Sequence, residues 1–525
     1  LAPADLLWNG GIGTYLKAST ETHAQVGDKA NDAIRVNGNE IRARVFGEGG
    51  NLGATQLGRI EAARAGMKLN TDAIDNSAGV DTSDHEVNIK ILLDQAVTAG
   101  SMTIADRNTQ LAAMTNEVGE LVLRDNYEQN LILAQARIQA PEMLRVHQRL
   151  MQSLEAEGLL NRTVEYLPTD AQIDLLDSQG AGLSSPELCV LMAYVKIDLT
   201  RDRANDEIVN EPWCQEILSN YFPTDLRHGY DALMDSHPLR KEIISTAMTN
   251  EMVNRGGATY AWRAAEESGA GASEILRAFV VSRDVFGFRS LWAELEQLDG
   301  QVSTNCQTEL LLESRRLLDR ATRWFLQSRG GRLNVEAEIS KFAGTVSQLT
   351  DRVPDFLRGV EQERLTRNVK RYESQGVPRP IALRIAALLD EFSLLDITEI
   401  STRENEDPVQ IVDLYFALSE RYDVDRMLFQ ISALPRADRW TAYARTALRS
   451  DLYVALAALV SRVAQATTAS DSVDQRITKW ESKFPEGVAR TKATLNEIAH
   501  SEQNDLATLS VALRAIRTLA GQSGN

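Results

Sequence analysis

The sequence predicts a short segment of parallel α/β structure followed by a much larger all-α region, so the chain is predominantly helical. Three observations predict this. Residues 1–83 alternate short apolar runs with glycine turns and one amphipathic stretch, the order strand, turn, helix, strand of a parallel sheet. From about Ser83 onward, apolar residues recur at helical spacing. Between Leu239 and Val353 there is no proline, as long helices require.

The first strand candidate is ADLLW, which runs into NGGIGT (Asn9 to Thr14). Asn37-Gly38 is a strong hairpin signal. After it, Ile41, Ala43 and Val45 alternate with Arg42 and Arg44, as in a strand with one solvated face. GEGGN follows, then a helix from about Ala54 to Ala65 closed by Gly66. MKLNTDAI is a further strand candidate. The region is too short for a complete dinucleotide-binding domain and reads as the second half of a Rossmann-like parallel sheet.

The expected division is 1–83 for this half-domain, 84–104 for a connecting helix and 105–525 for a helical domain, with a subdivision near 330–380. Helix starts are explicit at Ser185-Pro186-Glu187 and Asp407-Pro408. SGAGAS (Ser268 to Ser273) reads as a turn between helices with Ser273 as N-cap. The basic run Arg352 to Arg371, with acids interleaved, reads as a solvated helix face.

Composition narrows the function. The 525 residues carry a net charge of −18, which opposes non-specific binding to nucleic acid and docking on anionic membranes. Apolar runs reach about eight residues, short of the roughly 20 needed to span a bilayer. Cys189, Cys214 and Cys306 are too scattered for a disulfide framework or a zinc site and suit a reducing cytoplasm. No signal peptide is visible, and the first residue is Leu. We expect the chain to begin inside a larger protein.

Three glycine- or acid-rich stretches are site candidates. NGGIGT lacks the third glycine of the G-x-G-x-x-G fingerprint, because Leu16 stands there. A glycine turn at a strand end, beginning at Asn9 and Gly10, still borders the ligand crevice of an open parallel sheet. In GEGGNLGATQ, adjacent glycines allow close backbone approach, and Asn51 carries both an amide donor and an acceptor. NTDAIDNSAGVDTSDHE (Asn70 to Glu86) ends on a helix. Metal is disfavoured there, because Ile89 replaces the second histidine of H-E-x-x-H and Gly79 is misplaced for a calcium loop. Ser83-Asp84-His85-Glu86 matches a capping box. The same helix start favours an anion, so capping and anion binding compete for the Ser83 hydroxyl.

Glu48-Gly49-Gly50-Asn51 and Asn76-Ser77-Ala78-Gly79-Val80-Asp81-Thr82-Ser83 resemble the E-G-A-N and N-A-G-G-V-x-x-S motifs of glutamate dehydrogenases. NGGIGTY, GEGGNLG, NEVGELVLRDNY and LSSPELCVLMAY are similar to the very large, NAD-specific bacterial class, so the resemblance covers nearly the whole chain. It implies NAD as cofactor, bound by Asn9, Gly10, Glu48, Gly49, Asn51 and Asn76, with the two asparagine amides near the nicotinamide. It implies L-glutamate and 2-oxoglutarate as substrates, with Val80 packing on them and Ser83 holding the side-chain carboxylate. That moves Ser83 towards the anion reading.

The family's catalytic lysine and aspartate precede the fingerprint. The resemblance therefore implies a C-terminal portion with no catalytic residue, inactive by itself, and the motif reading adds no metal site. We expect a cytoplasmic protein whose long helices bury intersubunit surface in a homo-oligomer, its helical domain serving assembly or regulation by small-molecule or protein effectors. A dehydrogenase for another amino acid, and a non-catalytic helical scaffold with a relic nucleotide fold, are the alternatives.

Overall fold

Two pairs of parallel strands carry the N-terminal region. In the computed structural model, which describes residues 3–201, 206–330, 332–434, 439–500 and 505–521, β1 (Leu6–Asn9) pairs with β4 (Val45–Glu48). β2 (Leu16–Lys17) pairs with β3 (Val36–Asn37). Single parallel bridges add Lys68 beside Val45 and Ala54 beside Leu16. Leu16, Phe46, Ala54, Ala62, Met67 and Leu69 form the buried core beneath them.

Here α1 (His23–Val26) is a single turn, and α2 (Gln56–Arg64) covers the core. The predicted helix after GEGGN is thus found, and Gly66 ends it at φ +100°. Parallel strands joined through a helix are the α/β segment expected, and helices dominate the rest.

Several local readings are corrected. Asn37-Gly38 makes no hairpin, because the primed turns need positive φ at their central residues and Asn37 lies at φ −84°. The glycine serves packing instead. A Cβ at Gly38 would stand 2.6 Å from the Gly58 carbonyl oxygen, so α2 rests directly on this turn. Residues 41–44 lie outside the ladder, and Val45 is exposed. Only Lys68 of MKLNTDAI pairs as a strand, and its end is the helical turn α3 (Asp72–Asp75).

The following helices are α4 (Ser77–Thr98), α5 (Ile104–Ala113), α6 (Thr115–Ala156), α7 (Asp170–Ser178), α8 (Ser185–Arg201) and α9 (Cys214–Tyr221). α4 overturns the capping box at Ser83: the helix starts six residues earlier, and Ser83 lies inside it. The cap of α8 is shifted by one residue, since Ser184 rather than Ser185 donates to the Glu187 carboxylate, at 2.6 Å through both N–H and hydroxyl. Ser273 is no N-cap, because its helix begins at Ala272. The SGAGAS turn itself is present, with Gly269 at φ +73°. Asp407 caps its helix through the Val409 N–H, at 2.8 Å.

The chain divides into two units, residues 1–276 and 277–525. In the second, the basic run is only partly solvated: Arg364 forks onto Asp390, a buried carboxylate. Among the described residues, no helix is long and apolar enough to cross a membrane.

Candidate functional site

The register Asn9↔Glu48 brings the ends of β1 and β4 level. Their glycine loops therefore leave side by side at the carboxyl ends of parallel strands, where open α/β sheets bind ligands. The Gly49 N–H donates to the Asn9 carbonyl at 2.8 Å. A Cβ at Gly50 would come within 3.0 Å of the Gly11 carbonyl oxygen, and one at Gly49 within 2.5 Å of the Trp8 indole. Only glycine lets these loops approach so closely. Gly10 is exposed, and Trp8, 58% exposed, lies across Gly47 and Gly49.

The Glu48 side chain faces inward. It is fully buried and accepts from Arg59 Nε at 2.7 Å and Nη2 at 2.8 Å, and from the Ala54 N–H at 3.0 Å. Burial pushes its carboxyl above the usual range, against the opposing pull of Arg59. Burial works against the Arg59 charge, yet Glu48, Asp72 and Asp75 together hold its pKa above the ordinary value. Arg59 also reaches Asp72 at 3.1 Å, and Asp72 accepts from the Leu52 N–H at 2.8 Å. The Glu48 N–H donates to Asp75 at 3.1 Å. One guanidinium thus ties the 48–54 loop to the start of the 70–76 segment. Leu52 is held at φ +58°, a conformation that costs a non-glycine residue on the order of 1–3 kcal/mol.

Across this loop, Asn76 Nδ2 donates to Asn51 Oδ1 at 2.8 Å. The two amides singled out in the sequence, 25 residues apart, meet at the N-terminus of α4. Asn9 Nδ2 is buried without a hydrogen-bond partner. An orphaned amide donor, a glycine-lined approach and an exposed amide pair suit a polar, planar group such as a nicotinamide carboxamide.

Val80 is 71% exposed. Ser83 is exposed too, and its hydroxyl donates to the Gly79 carbonyl at 3.1 Å. The positive end of α4 therefore lies at Asn76 to Gly79, about 9 Å along the axis from Ser83. Any anion held by Ser83 gains nothing from a helix terminus there. Its hydroxyl must release Gly79 to donate elsewhere.

Sequence reasoning missed the braces behind this surface. From α6, Asn126 donates to the Ile74 carbonyl at 2.7 Å and to Ser77 Oγ at 3.3 Å. Asn70 donates to Asn130 at 2.8 Å and accepts from Ser185 at 2.9 Å. Gln56 donates to the Pro186 carbonyl at 3.2 Å, and Arg64 pairs with Glu187 at 3.3 Å. The DNYEQN and LSSPE stretches thus grip the loop and α2. Their only sequence signal is asparagine at i, i+4 in a helix, where capping or solvation is the ordinary reading.

Behind α4 lies an acidic pocket. Burial and the neighbouring Asp125 raise Asp81 to about 7. Asp125 rises to about 6, chiefly through burial and Glu128. Burial lowers Lys196 to about 8, against the pull of both aspartates. His85 is buried and stacks on Tyr221, with ring centroids 4.5 Å apart.

Comparison with known proteins gives a consistent result. The family described as "Glutamate dehydrogenase, C-terminal" matches residues 180–518, and "Bacterial NAD-glutamate dehydrogenase, catalytic domain" matches residues 1–136. Among curated relatives, proteins named NAD-specific glutamate dehydrogenase are 44% identical over 523 residues in Mycobacterium tuberculosis and 41% over 522 in Pseudomonas aeruginosa. One from Halomonas elongata is 37% identical over 520. These alignments cover 99–100% of this chain and 32% of each relative. The chain therefore spans about a third of the length of the relatives it matches.

Proposed function

Because the chain belongs to the glutamate dehydrogenase family, we propose that it is part of an enzyme that oxidises L-glutamate to 2-oxoglutarate and ammonia with NAD. The observation that carries this reading is the Asn51–Asn76 amide pair, 2.8 Å apart, beside glycine loops at the carboxyl ends of two parallel strands. NAD, when bound, supplies the hydride acceptor. This chain's residues bind and orient. Asn9, Gly10, Gly49, Asn51 and Asn76 face the nicotinamide side, and Glu48 acts through Arg59 by holding the loop. Val80 packs on the substrate, and Ser83 turns its hydroxyl from Gly79 to the side-chain carboxylate.

In this reading, residues 1–83 complete a Rossmann-like domain whose proton-transfer groups stand elsewhere in the full-length enzyme. Residues 84–104 tie that domain to residues 105–525, which serve assembly of a cytoplasmic homo-oligomer and its response to effectors.

The test is NADH binding to the full-length enzyme carrying Asn76→Ala. Losing one hydrogen bond to the ligand and one to Asn51 weakens binding about tenfold, or about 1.4 kcal/mol. Unchanged affinity together with unchanged turnover would overturn the assignment.

A further inference from the structure

Asp81 and His85 stand one turn apart on α4, and Asp125 faces them from α6. One ligand atom from each, a carboxylate oxygen or a ring nitrogen, lies within 4.8 Å of the others. Several neighbouring groups have partners, though Asn88 Oδ1 has none. Asp84 accepts from the Tyr221 hydroxyl at 2.8 Å. Glu128 pairs with Arg124 and Arg255, each at 2.7 Å. His237 faces the Asn88 carbonyl at 3.1 Å. Among them, Asp81 Oδ2 and His85 Nδ1 are buried with no hydrogen-bond partner, and His85 is only 3% exposed. Two of the three clustered side chains thus carry a buried polar atom without a partner.

Two aspartates this close share a proton, the charge of Lys196, which pulls on both, or a metal ion. His85 adds a third ligand type: its ring nitrogen, unpartnered in the protein, is free to bind a metal ion that the two carboxylates also hold. From this geometry we propose that Asp81, His85 and Asp125 bind one divalent first-row cation, Zn2+ by preference, that fastens α4 to α6. Two carboxylates and a neutral imidazole balance its charge, and a water completes a tetrahedral set.

Around an ion about 2.1 Å from each ligand, neighbouring ligand atoms stand roughly 3.4 Å apart. Binding therefore requires these atoms, now within 4.8 Å of one another, to draw closer. Lys196 acts on both aspartates and is the cation's internal competitor. The site supports α4 from behind, while Val80 and Ser83 occupy exposed positions on the same helix. It is independent of how the NAD reading fares, because its readout is metal content.

The experiment strips the full-length enzyme with a chelator and titrates it with Zn2+ by calorimetry, and with Co2+ by its visible ligand-field bands. Wild type takes up one equivalent per chain. Asp125→Asn and His85→Gln lose that equivalent or bind it at least about 100-fold more weakly, since removing even outer-shell partners costs 10–100-fold. Asp81→Asn serves as a third variant should either of these fail to fold. X-ray absorption of the Zn2+-loaded wild type shows imidazole scattering. Wild type binding no more metal than the variants, or an equivalent that survives in all three, overturns the proposal and leaves the two aspartates sharing a proton or the charge of Lys196.

Discussion

Arg59→Met tests whether one buried guanidinium holds the site loop together. The substitution keeps the aliphatic stem and deletes two bonds to Glu48, at 2.7 and 2.8 Å, and one ion pair to Asp72, at 3.1 Å. Breaking a buried pair on one side costs about 3–5 kcal/mol, because a charge is stranded. Glu48 has an escape: it can take up a proton. With an ordinary carboxyl value of 4.5, that costs about 3.4 kcal/mol at pH 7 and about 1.4 kcal/mol at pH 5.5. Protonation therefore caps the penalty near 3 kcal/mol at neutral pH.

The sign follows from linkage. Glu48 is already raised in the wild type, and losing Arg59 raises its folded pKa further above the unfolded one, so the variant's stability gains more than the wild type's as pH falls towards 4.5. Hydrogen exchange of the peptide over residues 45–58 in the full-length enzyme reads the local opening free energy. We expect a loss of about 3 kcal/mol at pH 7 that shrinks by about 1.4 kcal/mol per pH unit on acidification. The double variant Arg59→Met/Glu48→Gln should show no such pH dependence. A loss below about 1 kcal/mol, as for an exposed pair, or one indifferent to pH, refutes the reasoning.

Other predictions concern the substrate side and the second unit. If Ser83 holds the substrate carboxylate as proposed, Ser83→Val in the full-length enzyme should lower kcat/KM for glutamate at least about tenfold more than for an apolar amino acid. Equal losses would remove Ser83 from the substrate site. Glu391 is 1% exposed, Oε1 has no hydrogen-bond partner, and burial raises its carboxyl to about 8. Its folded pKa exceeds the unfolded one, so stability is full below pH 4.5 and declines as pH rises towards 8. Glu391→Gln should flatten that decline and raise stability at pH 8 by about 2–3 kcal/mol, under a ceiling of about 5 kcal/mol. Urea melts of the second unit at pH 6 and pH 8 check this, and an unchanged pH profile would contradict it.

The α/β segment and the helical remainder were legible because both rest on periodicity and glycine placement. The ends of β1 and β4 were legible for the same reason, since Gly10, Gly49 and Gly50 mark where two backbones must approach. The start of α4 was not. Ser83 with Glu86 is a good capping box locally, but Asn126 of α6 grips Ile74 and Ser77 and lets the helix begin earlier. Asn37-Gly38 misled in a similar way, because α2 needs that glycine for contact rather than for a turn. Glu48 was legible as part of a motif, but its inward direction was not. That depends on Arg59, which a sequence places on a helix without saying which way it points. The pocket of Asp81, His85 and Asp125 joins residues about 40 positions apart, and no spacing rule links them.

The central claim is that the Asn51–Asn76 pair borders the nicotinamide. A structure of the full-length enzyme with NAD and 2-oxoglutarate tests it most directly. The account predicts at least one of these amides within about 3.5 Å of the nicotinamide carboxamide or its ribose, with the pair at the mouth of the β1–β4 crevice. Nicotinamide bound elsewhere, with both amides still joined only to each other and facing solvent, would contradict it.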